Sequence, residues 1–171
     1  MFKSCSRMKP IAAAMPMLTA GLMLAGCGGG DDNSPRTVSL AFTAKAGNAA
    51  VSCGTAIAAL GTGALQSQLK DLRFYVSDVK LIGANGVATP LALSANDWQD
   101  APGGVTLIDL ENATGTCAGG TTGTNDVVVG TVPAGNYVGL SFSVGVPSSL
   151  NHSDFAAAKK PLDIQAMAWS W

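Results

Sequence analysis

The sequence predicts an all-β, antiparallel sandwich or barrel-like domain with one short helix, set behind an N-terminal signal segment. Three observations predict it. Apolar residues recur with a period of two in several short runs. Clusters of Gly, Pro and Asn separate those runs. Charged residues are only 12% and aromatics 6% of the chain, with 21 glycines, a balance that excludes a coiled coil or a charged disordered tail. Ten Lys+Arg against eleven Asp+Glu, with no basic run, exclude a nucleic-acid partner.

The first 26 residues are read as a lipoprotein signal peptide. Lys3, Arg7 and Lys9 precede an apolar stretch at 11–24, which closes on Leu24-Ala25-Gly26-Cys27. That stretch is shorter than the roughly 20 residues a spanning helix needs, and Pro16 and Gly21 interrupt it. A small-residue site ending in Cys resembles the bacterial lipoprotein signal, which makes Cys27 the lipidated first residue of the mature chain. Residues 27–36 form a Gly-rich tether, and the β-domain occupies 37–171. Removing the leader takes away three cations and leaves seven Lys+Arg against eleven Asp+Glu, net −4. The mature protein is then a mildly acidic one, lipid-anchored on the periplasmic side of a bacterial membrane.

The strands follow in order. Val38, Leu40, Phe42 and Ala44 alternate with smaller or polar residues in a half-buried pattern. Leu72, Phe74 and Val76 alternate likewise, but Val79 and Leu81 have the opposite parity, which calls for a bulge near Asp78. Gly83-Ala-Asn-Gly86 reads as a hairpin turn, and further strands are expected at 88–93, 105–110, 127–132 and 137–144. Pro133-Ala-Gly-Asn136 turns between the last two, and the Gly/Thr run 118–124 reads as a mobile loop. Ser153-Asp154, Lys159-Lys160 and Pro161 bracket the short helix. Ile164-Gln-Ala-Met-Ala-Trp-Ser-Trp171 reads as an apolar strand that stops abruptly, which marks the chain as a fragment lacking its C-terminal strand or strands.

Residues able to carry chemistry are few. With Cys5 in the leader and Cys27 as the lipid site, Cys53 and Cys117 remain. In an oxidising compartment they form a disulfide; the alternative is a thiolate copper ligand. Asp109 and Glu111 share a strand face, read as a solvated strand end rather than an acid/base pair or a cation site. Asp71 and Arg73 are read as an ion pair. His152, the single histidine, excludes a His-rich metal cage and is either a structural hydrogen-bonder or a ligand. Met167, Trp169 and Trp171 share parity on the last strand, and Trp98 lies in a polar, turn-like segment. No Ser/His/Asp arrangement or G-x-S-x-G elbow is present, so an enzyme is not expected.

Ordered blocks then accumulate: Asp71-Leu-Arg-Phe-Tyr-Val, Trp98-Gln99, Leu107-Ile-Asp-Leu-Glu111, Gly115-Thr-Cys117 and Gly130-Thr-Val-Pro-Ala-Gly-Asn-Tyr137. Gly145-Val-Pro147, Leu150-Asn-His-Ser-Asp154, Pro161-Leu162 and Met167-Ala-Trp-Ser-Trp171 continue them. Together they resemble the MbnP-like group, the four-Cys partner of a metallo-mystery pair. The resemblance implies a periplasmic protein that binds one copper ion and is encoded beside a di-haem cytochrome c of the peroxidase type. That partner oxidises a tryptophan to kynurenine, with Trp169, Trp171 and Trp98 as the candidates here. His152 is the implied copper ligand, and Met167 is able to complete the site. Cys53 and Cys117 match the first two family cysteines. Two departures stand out: Ser77 replaces a His found in some relatives, and the strand after Trp-x-Trp is missing. The rival reading is a non-metal envelope lipoprotein, a disulfide-stapled β-sandwich that binds a ligand or another envelope protein.

Overall fold

The computed structural model describes residues 34–168. The signal peptide, Cys27 and all but the last residues of the tether, together with Trp169 and Trp171, lie outside the described residues. Twelve strands are described, in chain order: β1 (Arg36–Ala41), β2 (Lys45–Ala46), β3 (Ala49–Ala50), β4 (Ala56–Leu60), β5 (Leu65–Gln68) and β6 (Arg73–Gly83). The rest are β7 (Ala88–Pro90), β8 (Ala92–Leu93), β9 (Gln99–Asp100), β10 (Val105–Asp109), β11 (Val127–Val132) and β12 (Tyr137–Val144).

Two sheets pack face to face. One orders its strands β1-β11-β8; the other runs β12-β6-β10-β9, with β7 also paired to β6. All the pairings are antiparallel. Between the sheets lie Val76, Val79, Leu81, Ile108, Val128 and Val132. Val76 shares this core with Val79 and Leu81 despite their opposite parity. The reason is the expected bulge: Asp78 and Val79 oppose the single residue Phe142, and Asp78 takes a left-handed φ of +50°. The Gly83–Gly86 turn also forms, with the Gly86 amide donating to the Gly83 carbonyl at 2.8 Å.

The second face of the larger sheet carries a separate core. Tyr75, Val105 and Leu107 are covered there by Trp98, Val146, Leu150, Leu162, Ile164 and Met167. β10 is therefore buried on both faces, and all five of its residues are inaccessible. The covering segment, residues 145–168, is tied to β6 by three bonds. The Gly145 amide donates to the Tyr75 carbonyl at 2.7 Å, Ser77 Oγ donates to the Gly145 carbonyl at 2.8 Å, and Tyr75 Oη donates to the Pro161 carbonyl at 2.8 Å. Tyr75→Phe removes the last of these from a buried site. It is expected to lower the unfolding free energy by about 1 kcal/mol, read from urea melts. No measurable change would show that the Pro161 carbonyl finds another donor.

Three expectations are corrected. The short helix at 153–160 is a succession of turns. The Ala157 amide donates to Asp154 O, the Ala158 amide to Phe155 O, and Asp154 Oδ1 accepts from the Ala156 amide. Too few residues separate Asp154 from Pro161 to offset the cost of helix nucleation. The terminal strand does not form as far as it is described: Gln165–Met167 is a 3-10 turn, folded onto the second core by Ile164 and Met167. The 88–93 strand is split, because β7 pairs with β6 and β8 crosses to β11, with buried Leu91 at the corner. Two hairpins, β2–β3 and β4–β5, had no clear alternation to announce them; each forms its own two-stranded sheet.

Candidate metal centre

The turn that carries His152 is held by its neighbours. Asn151 Oδ1 accepts from the His152 amide at 3.1 Å, and Ser153 Oγ donates to the Leu150 carbonyl at 2.9 Å. His152 has φ +61°, a conformation uncommon for a residue with a side chain and concentrated at functional sites. It is exposed, on the wall of a cavity of about 430 Å³ whose lining also includes Tyr75, Arg73, Asn151, Ser153 and Met167. His152 and Met167, 15 positions apart in the chain, are thus brought to one cavity. Sequence reasoning did not place Tyr75 and Arg73 there, since nothing in a strand pattern marks which face a later loop will cover.

The electrostatics of the cavity wall are set from behind it. The Arg73 side chain is only 3% exposed. Its Nε donates to Asp71 Oδ1 at 2.9 Å and lies 3.8 Å from Glu111 Oε1, so its charge is compensated before it reaches the cavity. This confirms the Asp71–Arg73 pair. The hydrogen bond from Arg73 holds the Asp71 carboxyl below the usual range. Burial, reinforced by the charge of Asp163 and opposed by Arg73, pushes the Tyr75 phenol up to about 12. Tyr75 is therefore a neutral hydrogen-bond donor at physiological pH.

Asp109 and Glu111 are not the solvated strand end that their position suggested; both are fully buried. The Gly/Thr run read as a mobile loop folds back over them. The Thr121 amide donates to Glu111 Oε1 at 2.6 Å and Thr121 Oγ1 to Asp109 Oδ2 at 2.8 Å, while the Ala113 amide donates to Glu111 Oε2 at 2.9 Å. Burial raises the Asp109 carboxyl above its ordinary value, against the lowering effect of the Thr121 hydroxyl. Glycine is needed here: a Cβ on Gly120 would overlap the Glu111 carboxylate.

Cys53 and Cys117 form the expected disulfide, with Cα atoms 5.7 Å apart. The Glu111 carboxylate lies beside it, and the ligand atoms of Cys53, Glu111 and Cys117 fall within 4.8 Å of one another. Disulfide sulfurs are not thiolate donors, so the copper-thiolate alternative does not apply to the oxidised chain. Trp98 is elsewhere. It is half-buried and lines a separate cleft of about 320 Å³ with Thr121, Gly123 and Asp163, beside the Lys160–Asp97 ion pair at 2.7 Å. It does not line the cavity of His152. Ser77 is buried and bonded to the Gly145 carbonyl, and it does not line that cavity.

Comparison with known proteins agrees with this architecture. The MbnP family profile matches residues 35–171. The chain is similar to a solved structure, MbnP from Methylosinus trichosporium, at 39% identity and a TM-score of 0.68. That match covers 81% of this chain and 51% of the other, so this chain spans about half the length of the relative. Comparison with curated proteins returns no match. The profile spans the two sheets, the disulfide and the His152 segment, and on that basis the chain belongs to the MbnP family.

Proposed function

We propose that this chain is a copper-binding, non-enzymatic protein that holds one copper ion at the cavity of His152 and Met167. The observation that carries this reading is the convergence of the single histidine and a methionine on one cavity. The donor set fits the metal: imidazole suits both copper oxidation states, and thioether favours Cu(I). Asn151 and Ser153 offer oxygens on the same wall. The compensated charge of Arg73 removes the obvious obstacle to a cation there. Copper, when bound, would supply redox chemistry that the side chains lack. The residues of the chain bind and orient: the left-handed turn presents the imidazole, and the second core positions the Met167 sulfur.

The exported, lipid-anchored location belongs to the same proposal and rests on the lipobox-like end at Cys27. So does a partner of the di-haem cytochrome c peroxidase class, which would supply the oxidising equivalents for conversion of a tryptophan to kynurenine. Trp98, Trp169 and Trp171 are its candidate targets. Trp98 is supported by its place on an open cleft.

The chain loaded with copper and desalted is expected to retain one ion by elemental analysis. His152→Ala should lose it while far-UV circular dichroism stays unchanged, because the side chain is exposed. Met167→Leu should weaken Cu(I) more than Cu(II). Equal copper content in the wild type and His152→Ala would remove the cavity from the role proposed for it.

A further inference from the structure

We infer that Cys53, Cys117 and Glu111 form a second, redox-gated site for a borderline divalent cation of the zinc class. It is closed while the cysteines are joined and open once a dithiol has reduced them. Glu111 is fully buried; one of its oxygens lies 3.8 Å from Arg73 Nε, and the carboxylate also lies beside the disulfide, with its ligand atom and the two sulfurs within 4.8 Å of one another. The amides of Ala113 and Thr121 fix both oxygens in position. An ionised carboxylate offers about four lone-pair sites, so these bonds leave acceptor capacity on the side of the sulfurs.

Reduction changes the chemistry of this cluster. One dithiol passes two electrons and two protons to the Cys53–Cys117 bond, the S–S bond breaks, and the reductant leaves as its own disulfide. Two thiols then face a carboxylate in a region largely closed to water. Ionising either thiol there is opposed by the like charge of Glu111 and by desolvation. A divalent cation reverses that balance. It takes the place of the two thiol protons, which pass to solvent, and gains two thiolates and one carboxylate oxygen as ligands. Two sulfurs, one oxygen and one open position suit tetrahedral zinc.

The fold gives the sulfurs room to part. Cys117 is fully buried beside β10, in the 3-10 turn Gly115–Cys117. Cys53 is in the link between two hairpins that each form a two-stranded sheet among the described residues, and most residues of 45–68 are exposed. The moving half of the site is thus Cys53, and the fixed half is Cys117 with Glu111. None of the three lines the cavity of His152, so this site stands or falls apart from the copper reading.

The test uses the full chain, reduced with a water-soluble phosphine that leaves no competing thiol, and Co²⁺ as a spectroscopic probe. One equivalent of Co²⁺ should bring up a thiolate-to-cobalt charge-transfer band that Zn²⁺ abolishes, and Zn²⁺ should raise the melting temperature of the reduced chain. The oxidised chain should show neither effect. Glu111→Gln should weaken the affinity at least about tenfold, and Cys53→Ser/Cys117→Ser should abolish the band. The inference is overturned if the reduced chain gives no such band, including the case where it unfolds and metal does not restore its circular dichroism. An unchanged affinity in Glu111→Gln overturns it equally, since two thiols alone would then account for the binding.

Discussion

Loss of the Cys53–Cys117 bond, by Cys53→Ser/Cys117→Ser, is expected to lower the unfolding free energy by about 4 kcal/mol in the chain-entropy model. The two cysteines are 64 positions apart, so the bond removes a large share of the unfolded chain's freedom. The native state loses a specific anchor as well. Among the described residues the β2–β3 and β4–β5 hairpins have no strand partners in either main sheet, and the disulfide joins their connecting link to the turn after β10. Around it the backbones approach closely: a Cβ on Gly115 would lie 2.8 Å from Gly54 Cα, and both glycines have left-handed φ. Thr116 Oγ1 donates to the Leu69 carbonyl beside them. Urea melts of the double variant against the oxidised wild type measure the change. Hydrogen exchange should place the earliest loss of protection in residues 45–68. A drop under about 1 kcal/mol would mean that the hairpins are held by packing, with the bond adding little.

Glu111→Ala is expected to cost about 3–5 kcal/mol, the range for removing one member of a buried ion pair. Three groups lose their partner at once. The Ala113 and Thr121 amides lose their acceptor, and the Arg73 guanidinium loses the buried one of its two carboxylates. A buried donor left without a partner costs about 1–3 kcal/mol, and here the donors also hold the 118–124 run over β10. Asp71→Ala is the contrasting case. The Asp71 side chain is 48% exposed, and its removal should cost only about 0–1 kcal/mol despite the shorter contact with Arg73. The same unfolding experiment on both variants tests the ordering. Equal costs would show that Glu111 is not acting as the buried counter-charge.

Much of the framework is local and therefore legible. The runs 127–132 and 137–144 coincide with β11 and β12, β10 falls within its expected run and β1 overlaps the first part of its own, because period-two alternation is a property of neighbours along the chain. The bulge at Asp78 could be read the same way, since a parity switch inside one run has few other solutions. The Cys53–Cys117 bond followed from counting cysteines once the leader was set aside.

The sites were legible only in part, because what surrounds a side chain is decided by residues far from it in the chain. Asp109 ends β10 and Glu111 lies just past it, and nothing within a few positions says that Thr121 will return to cap them. Asp154 to Pro161 has helix-start and helix-stop residues, yet the segment is too short to nucleate and lies in turns over a sheet face that Tyr75 helps hold. His152 and Met167 could each be singled out by residue type, but their common cavity exists because residues 145–168 fold across β6 and β10. The sequence by itself determined the all-β class, the run of the main strands β6, β10, β11 and β12, and which cysteines pair. Only the tertiary structure decided which charges are buried and which donors meet, because burial is a property of the assembled surfaces and periodicity is a property of a single strand.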